Sequence, residues 1–145
     1  MTLLHATCVA LDGTGVLLRG ASGAGKSDLA LRLIDGGAVL VADDYCEVTA
    51  TAGHLTATAP TAIAGKMEVR GYGIVALPVA ASATIALVVD LMPADHIPRL
   101  PETTTCVVAG VTLPWLCIDA AAPSAAARVR LAARLTVQPS EMVRP

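Results

Sequence analysis

Gly15-Val16-Leu17-Leu18-Arg19-Gly20-Ala21-Ser22-Gly23-Ala24-Gly25-Lys26-Ser27-Asp28-Leu29-Ala30-Leu31-Arg32-Leu33-Ile34-Asp35-Gly36-Gly37 is the stretch that decides the fold. Its first five residues read as a short buried strand. Residues 20–27 then fit G-x-x-x-x-G-K-[ST], the phosphate-binding P-loop. Such a loop needs glycines so that successive backbone N–H groups can point inward at phosphate oxygens. The helix that follows adds the positive end of its dipole. Leu29, Ala30, Leu33 and Ile34 share one helical face, with Asp28 in the first turn. The spacing predicts a helix over 27–35, closed by Gly36-Gly37 in a left-handed cap. Strand, glycine loop and helix in this order is what the motif requires. The expected cradle is therefore Gly20, Ala21, Ser22, Gly23, Ala24, Gly25, Lys26 and Ser27. Lys26 would reach the β/γ-phosphates and the Ser27 hydroxyl would ligate Mg²⁺.

Outside this stretch, 145 residues make one domain, expected to span 1–145, with enough chain for a real core. The chain is 54% hydrophobic and 15% charged, which argues against disorder. It has no Phe, one Trp and two Tyr, so Ala, Val, Leu and Ile must fill a closely packed interior. A net charge of −2 gives no indication of a nucleic-acid surface. Cys8, Cys46, Cys106 and Cys117 are too widely spaced for a zinc site and read as free, mostly buried thiols in a reducing cytosol. The N-terminus has no basic region and meets Asp12 early, unlike a secretory signal, so a cytoplasmic protein is expected. Residues 73–89 are uncharged and apolar but contain Pro78, Ser82 and Thr84 and fall short of a spanning helix. They read as two strands, near 74–79 and 84–91, and no membrane span is expected.

Ala38-Val39-Leu40-Val41-Ala42 is a continuous apolar run, the pattern of a strand buried on both faces, and it ends at Asp43-Asp44. Residues 46–52 and 54–58 flank Gly53 as a hairpin. Residues 61–73 are less regular and carry Glu68, Arg70, Gly71 and Gly73. Residues 95–105, with Pro98 and Pro101, read as a surface loop, and 107–117 as strand broken by Gly110 and Pro114. A last helix is expected from Ser124, as N-cap, to about 135, with Arg128, Arg130 and Arg134 on a solvated face. Trp115 reads as core or as an interface anchor. Strands outnumber helices, which makes this an α/β domain built on a strand-rich mixed sheet rather than a repeated βαβ array.

A carboxylate at the end of a buried strand is well placed to face a phosphate loop. In phosphoryl transfer one such group accepts the proton of the attacking hydroxyl, and another can hold Mg²⁺. Neighbouring residues on a strand point to opposite sides, so one of Asp43 and Asp44 should face the site. The plain alternative is a solvated turn, for which Asp is well suited. Asp43 follows Lys26 by one helix and one turn, closer than the metal-site Asp of many P-loop hydrolases, which implies a different strand arrangement around the same cradle.

Three segments taken together resemble the catalytic domain of bacterial HPr kinase/phosphorylase. They are residues 20–28, Leu40-Val41-Ala42-Asp43-Asp44 and Met67-Glu68-Val69-Arg70-Gly71-Tyr72-Gly73-Ile74. The family's loop reads G-x-S-G-x-G-K-S before an acidic residue, its strand ends in A-D-D, and its signature is close to E-I-R-G-L-G-I. The resemblance implies a phosphoenolpyruvate carboxykinase-like fold and ATP-dependent phosphorylation of a serine on the phosphocarrier HPr or a homologue. It implies that Lys26 and the loop amides bind phosphates, that Ser27 and Glu68 hold Mg²⁺, and that Asp43, with Asp44, is the acid/base. His5 would lie near that carboxylate, Arg70 and Gly71 belong to the signature loop, and Arg99 resembles the Arg of a loop that closes on the substrates. The resemblance is to the short form of the family, without a further N-terminal domain. Leu77-Pro78-Val79-Ala80-Ala81 replaces an L-F-G-A-like stretch, and Pro101 follows Arg99-Leu100 where the family has Gly. The C-terminal segment associated with dephosphorylation has no good match, so the kinase direction is expected and phosphorolysis is left open, as is a homo-oligomer.

Two other readings use the same loop: a small-molecule kinase or NTPase, and a non-catalytic nucleotide-binding regulator. Joint retention of Asp43, Asp44, Glu68 and Arg99 favours catalysis over both. The chain has only one other lysine, Lys66. Replacing Lys26 by Met is therefore expected to abolish ATP-dependent transfer rather than weaken it; substantial residual turnover would make the loop merely structural.

Overall fold

The strand that leads into the glycine loop lies in the interior of a large sheet. The computed structural model describes residues 1–137. Its strands are β1 (Thr2–Leu4), β2 (Ala6–Leu11), β3 (Thr14–Arg19), β4 (Val39–Ala42), β5 (Cys46–Thr51), β6 (His54–Thr58), β7 (Lys66–Val69), β8 (Gly73–Ala76), β9 (Ala83–Leu91), β10 (Thr105–Val108) and β11 (Val111–Ile118). Two α-helices, α1 (Lys26–Asp35) and α2 (Ala125–Val137), complete the described part. Residues 138–145 of the expected single domain lie outside it.

The main sheet runs β1-β5-β6-β9-β3-β2-β4, and β7 and β8 form a separate hairpin. β9 is parallel to β3 on one side and, over residues 88–91, to β11 on the other; β10 is antiparallel to β11. The mixed, strand-rich α/β expectation is thus borne out. Asp12 and Gly13, at φ 50° and 80°, join β2 to β3 as a two-residue hairpin. That Asp-Gly pair between apolar runs is a strong hairpin signal, and it defines β2, a strand the sequence reading passed over. β2 separates the loop-bearing β3 from β4, so the expected different strand arrangement takes this form.

Alternation along the central strands feeds two cores, one on each face of the sheet. Val16, Leu18, Val89 and Leu91 pack with Leu29 and Leu33 of α1 and Val129 of α2. Leu17 and Val88 point the other way and pack with Cys8, Cys46, Val48, Leu55 and Leu113, where the outer strands curl over. The helices cover only one face. The 38–42 run proves to be an edge strand, not a central one. It is still buried apart from Val39, because Leu40 pairs in a bridge with Val79 and accepts the Ala80 N–H at 2.9 Å. With little aromatic bulk, the backbones come close: a Cβ on Gly15 would lie 2.7 Å from the Thr84 carbonyl oxygen in the β3–β9 pair.

α1 ends as a Schellman motif, with the Ala38 N–H bonded to the Leu33 carbonyl and the Gly37 N–H to that of Ile34. The left-handed residue is Gly37, at φ 112°, and not Gly36, at φ −87°. Ser124 precedes α2 and its carbonyl accepts the Arg128 N–H, as an N-cap does. The solvated arginine face holds only in part. Arg130 is half-buried and donates to the Arg32 carbonyl at 2.9 Å, tying α2 to the end of α1. Pro114 does not interrupt its strand; β11 runs through it, and the break falls at Ala109-Gly110, both at positive φ. Residues 74–79 give only a short strand, ending at Ala76. The 46–58 hairpin is present as expected. All four cysteines are unpaired; burial is complete for Cys8 and Cys46 and partial for Cys106 and Cys117. The hydrogen bond with Cys46, and then burial, raise the Cys8 thiol well above its ordinary range. No helix among the described residues is long and apolar enough to cross a membrane.

Gly15→Ala must push β3 from β9 at the root of the glycine loop. A loss of about 1–3 kcal/mol in unfolding free energy is expected, read as a lower urea midpoint.

Candidate active site

Among the described residues, the buried polar or charged side chains are Thr7, Lys26 and Asp43, and they cluster at one place. A buried polar group is costly unless it is bonded, so a core otherwise apolar marks this place without any motif.

β3 delivers the chain into a loop in which Gly23 and Gly25 take φ 81° and 99°, values that side chains resist. The Ala24 N–H bonds the Ala21 carbonyl at 3.0 Å, and α1 starts at once. Gly20 has little room for a side chain, with Ala24 and Leu91 within 3.1–3.3 Å of where a Cβ would stand. Lys26 is only 6% exposed. Its ammonium donates to the carbonyls of Gly20 at 2.8 Å and Ala21 at 3.2 Å, and among the described residues no carboxylate pairs with it. A nearly buried cation held only by neutral carbonyls suits an anionic ligand.

The two aspartates diverge, as adjacent residues at a strand end should. Asp43 is 8% exposed and turns inward. Its Oδ1 accepts the Ser27 hydroxyl at 2.6 Å and the Thr7 hydroxyl at 3.2 Å, while its Oδ2 accepts the Glu68 backbone N–H at 3.4 Å. Asp44 adopts φ 69° and turns outward, its Oδ1 lying 2.8 Å from His5 Nε2. Tyr45 lies against the His5 ring at a centroid distance of 5.2 Å.

A pocket of about 460 Å³ is lined by Ser22, Gly23, Lys26, Ser27, Asp44, Glu68 and Arg70, among others. Most of the residues picked out by sequence therefore converge. Gly20, Ala21 and Ala24 form the back of the loop, and His5 reaches the pocket through Asp44. The irregular 61–73 segment resolves into a 3₁₀ turn at Thr61–Ile63, β7 and the turn into β8, and the β7–β8 hairpin brings Glu68 and Arg70 to the mouth. Among the described residues the two do not form the simple ion pair that their spacing allows. Arg99 is apart: it lines a separate groove of about 940 Å³ with Met92, His96, Trp115 and Arg128.

Sequence reasoning missed Thr7 and the brace behind the loop. Arg19, the residue before Gly20, donates from Nε and a terminal nitrogen to the two oxygens of Asp90, at 2.8 and 2.9 Å. Trp115 Nε1 donates to the same carboxylate at 2.7 Å. The Asp90 bond raises the Arg19 pKa above its ordinary value, against the opposing effect of burial. The β3–β9 register, Arg19 opposite Asp90, creates this pair, and nothing local in the sequence announces a contact so distant in the chain.

The donor set fits a small hard cation. The Ser27 hydroxyl and the Glu68 carboxylate offer oxygen only, which suits Mg²⁺, an ion that keeps several waters. No self-sufficient cluster of three His, Cys, Asp or Glu occurs among the described residues, so such an ion would share its ligands with phosphate.

Residues 1–128 match the family described as "HPr Serine kinase C-terminal domain". The chain is similar to HPr kinase/phosphorylase of Clostridium tetani, 44% identical over 77 residues, which is 53% of this chain and 25% of the relative. It is likewise similar to HPr kinase/phosphorylase of Exiguobacterium sibiricum, 47% identical over 75 residues, 51% of this chain and 24% of the relative. These alignments span about a quarter of the curated relatives' length. The Hpr(Ser) kinase/phosphatase from Coxiella burnetii shares the fold, with a TM-score of 0.84 at 24% identity, covering 98% of this chain and 100% of that one.

Trp115→Phe keeps most of the apolar bulk and deletes the indole donor to Asp90. It should cost about 1 kcal/mol in urea unfolding. Nucleotide affinity should stay unchanged, because Arg19 alone still holds Asp90. The loop, the aspartate pair, the Glu68–Arg70 hairpin and the family match over 1–128 agree, and the chain belongs to the HPr serine kinase C-terminal domain family.

Proposed function

We propose that this chain is an ATP-dependent, Mg²⁺-requiring protein-serine kinase domain whose acceptor is HPr or a homologous phosphocarrier. The observation that carries the reading is the convergence of a nearly buried ammonium, without a carboxylate partner among the described residues, with the Glu68 carboxylate and the His5–Asp44 pair around one pocket. Plain nucleotide binding needs the loop but not the outward pair of His5 and Asp44.

The residues divide the work. Lys26 and the loop amides hold the phosphates, and Arg70 adds positive charge at the rim. Ser27 and Glu68 hold Mg²⁺, which when bound neutralises phosphate charge and fixes the transferring group in place. Asp43 already accepts three hydrogen bonds inside the protein, so its task is to orient Ser27. Asp44 is the exposed carboxylate and is steadied by His5, which makes it the better base for the acceptor hydroxyl. Arg99 joins this scheme only if the loop that bears it closes over the pocket.

The test is incubation with ATP, Mg²⁺ and HPr-type protein, read by intact mass. A single added phosphoryl group on the carrier is expected, and none on any carrier homologue would overturn the assignment. Asp44→Asn should lower kcat by about 10²–10⁴-fold with nucleotide binding kept. Asp43→Asn should instead weaken Mg²⁺-dependent nucleotide binding.

A further inference from the structure

The geometry points to Thr7 as a positioning residue that sets the two aspartates in their opposite directions through one hydroxyl. Thr7 lies on β2, between the strand that carries the glycine loop and the strand that ends in the aspartates. Its side chain is fully buried. Ala6, Cys8 and Ala10 on the same strand serve one core, and Val9 serves the other. Thr7 therefore holds a position where alternation alone calls for an apolar side chain. A hydroxyl there is tolerated only when its bonds are made.

Both are made, and to neighbouring residues. Oγ1 donates to Asp43 Oδ1 at 3.2 Å and accepts the Asp44 backbone N–H at 3.1 Å. The first bond draws the Asp43 carboxylate inward beside Ser27. The second fixes the amide of Asp44 at a residue held at φ 69°, a conformation that side-chain-bearing residues adopt at a cost. That turn sends the Asp44 carboxylate toward His5. The hydroxyl thus touches no substrate. It acts through Asp43 on the Ser27 side and through the Asp44 backbone on the His5 side. The inference rests on the kinase reading for its effect on rate, but not for its effect on the backbone.

Thr7→Val keeps the shape and removes both bonds, whereas Thr7→Ser keeps them. In Thr7→Val the Asp44 amide should exchange with solvent at least about tenfold faster than in the parent or in Thr7→Ser. With HPr-type protein as acceptor, kcat should fall about 10–100-fold in Thr7→Val, and Thr7→Ser should restore the rate. If Thr7→Val does not fold, Thr7→Ala against Thr7→Ser supplies the same contrast. Unchanged amide exchange overturns the inference, and so does faster exchange with an unaltered kcat. If the parent protein phosphorylates no carrier, the kinase reading fails by itself, and the amide measurement still decides whether Thr7 holds Asp44.

Discussion

One buried carboxylate organises this molecule around its site. Asp43 receives hydrogen bonds from α1 through Ser27, from β2 through Thr7 and from β7 through the Glu68 amide. A carboxylate in so little solvent is tolerable only with donors of this kind, and removing any one leaves lone pairs that water reaches poorly. The three segments meet at the mouth of the loop because they share one acceptor. The β7–β8 hairpin lies outside the main sheet, and the Glu68 amide ties it to this acceptor while Met67 packs into the core.

The second constraint is the size of the core residues. With Ala and Val doing much of the packing, sheet and helices approach closely, and at two positions glycine is what lets the backbone fit. Gly15 against the Thr84 carbonyl and Gly20 against Leu91 bracket the strand that carries the loop. The position of the phosphate cradle relative to β9 is thus fixed by close backbone contact on both ends of β3, and the Arg19–Asp90 pair locks the same register with charge.

The parts written locally were readable in the sequence. The glycine loop, the helix behind it, the 46–58 hairpin and the C-terminal helix follow from spacing and turn chemistry within a few residues, and the structure places them within one or two positions. The aspartate pair was readable as diverging, though which carboxylate goes inward depends on the donors that Thr7 and the Glu68 amide supply from distant strands. β2 was passed over, although Asp12-Gly13 marks its end. That β4 is an edge strand could not be seen, because the 77–80 segment covers it and restores the apolar pattern of a central strand. Arg130 looked solvated because its partner is a carbonyl, which leaves no mark in a sequence. Arg99 was joined to the site by resemblance alone, and the fold holds it in another groove.

The indole of Trp115 gives that second groove an optical address. It is the chain's only tryptophan, and it lines the groove beside Arg99 while its nitrogen is bonded to the carboxylate that braces the glycine loop. Both tyrosines are substantially exposed, and phenylalanine is absent. The folded interior is thus almost dark in the near ultraviolet. Emission excited at the red edge of protein absorption comes from a single place, and its colour and polarisation report the water and the motion around the loop that carries Arg99, with no label to attach and no background to subtract.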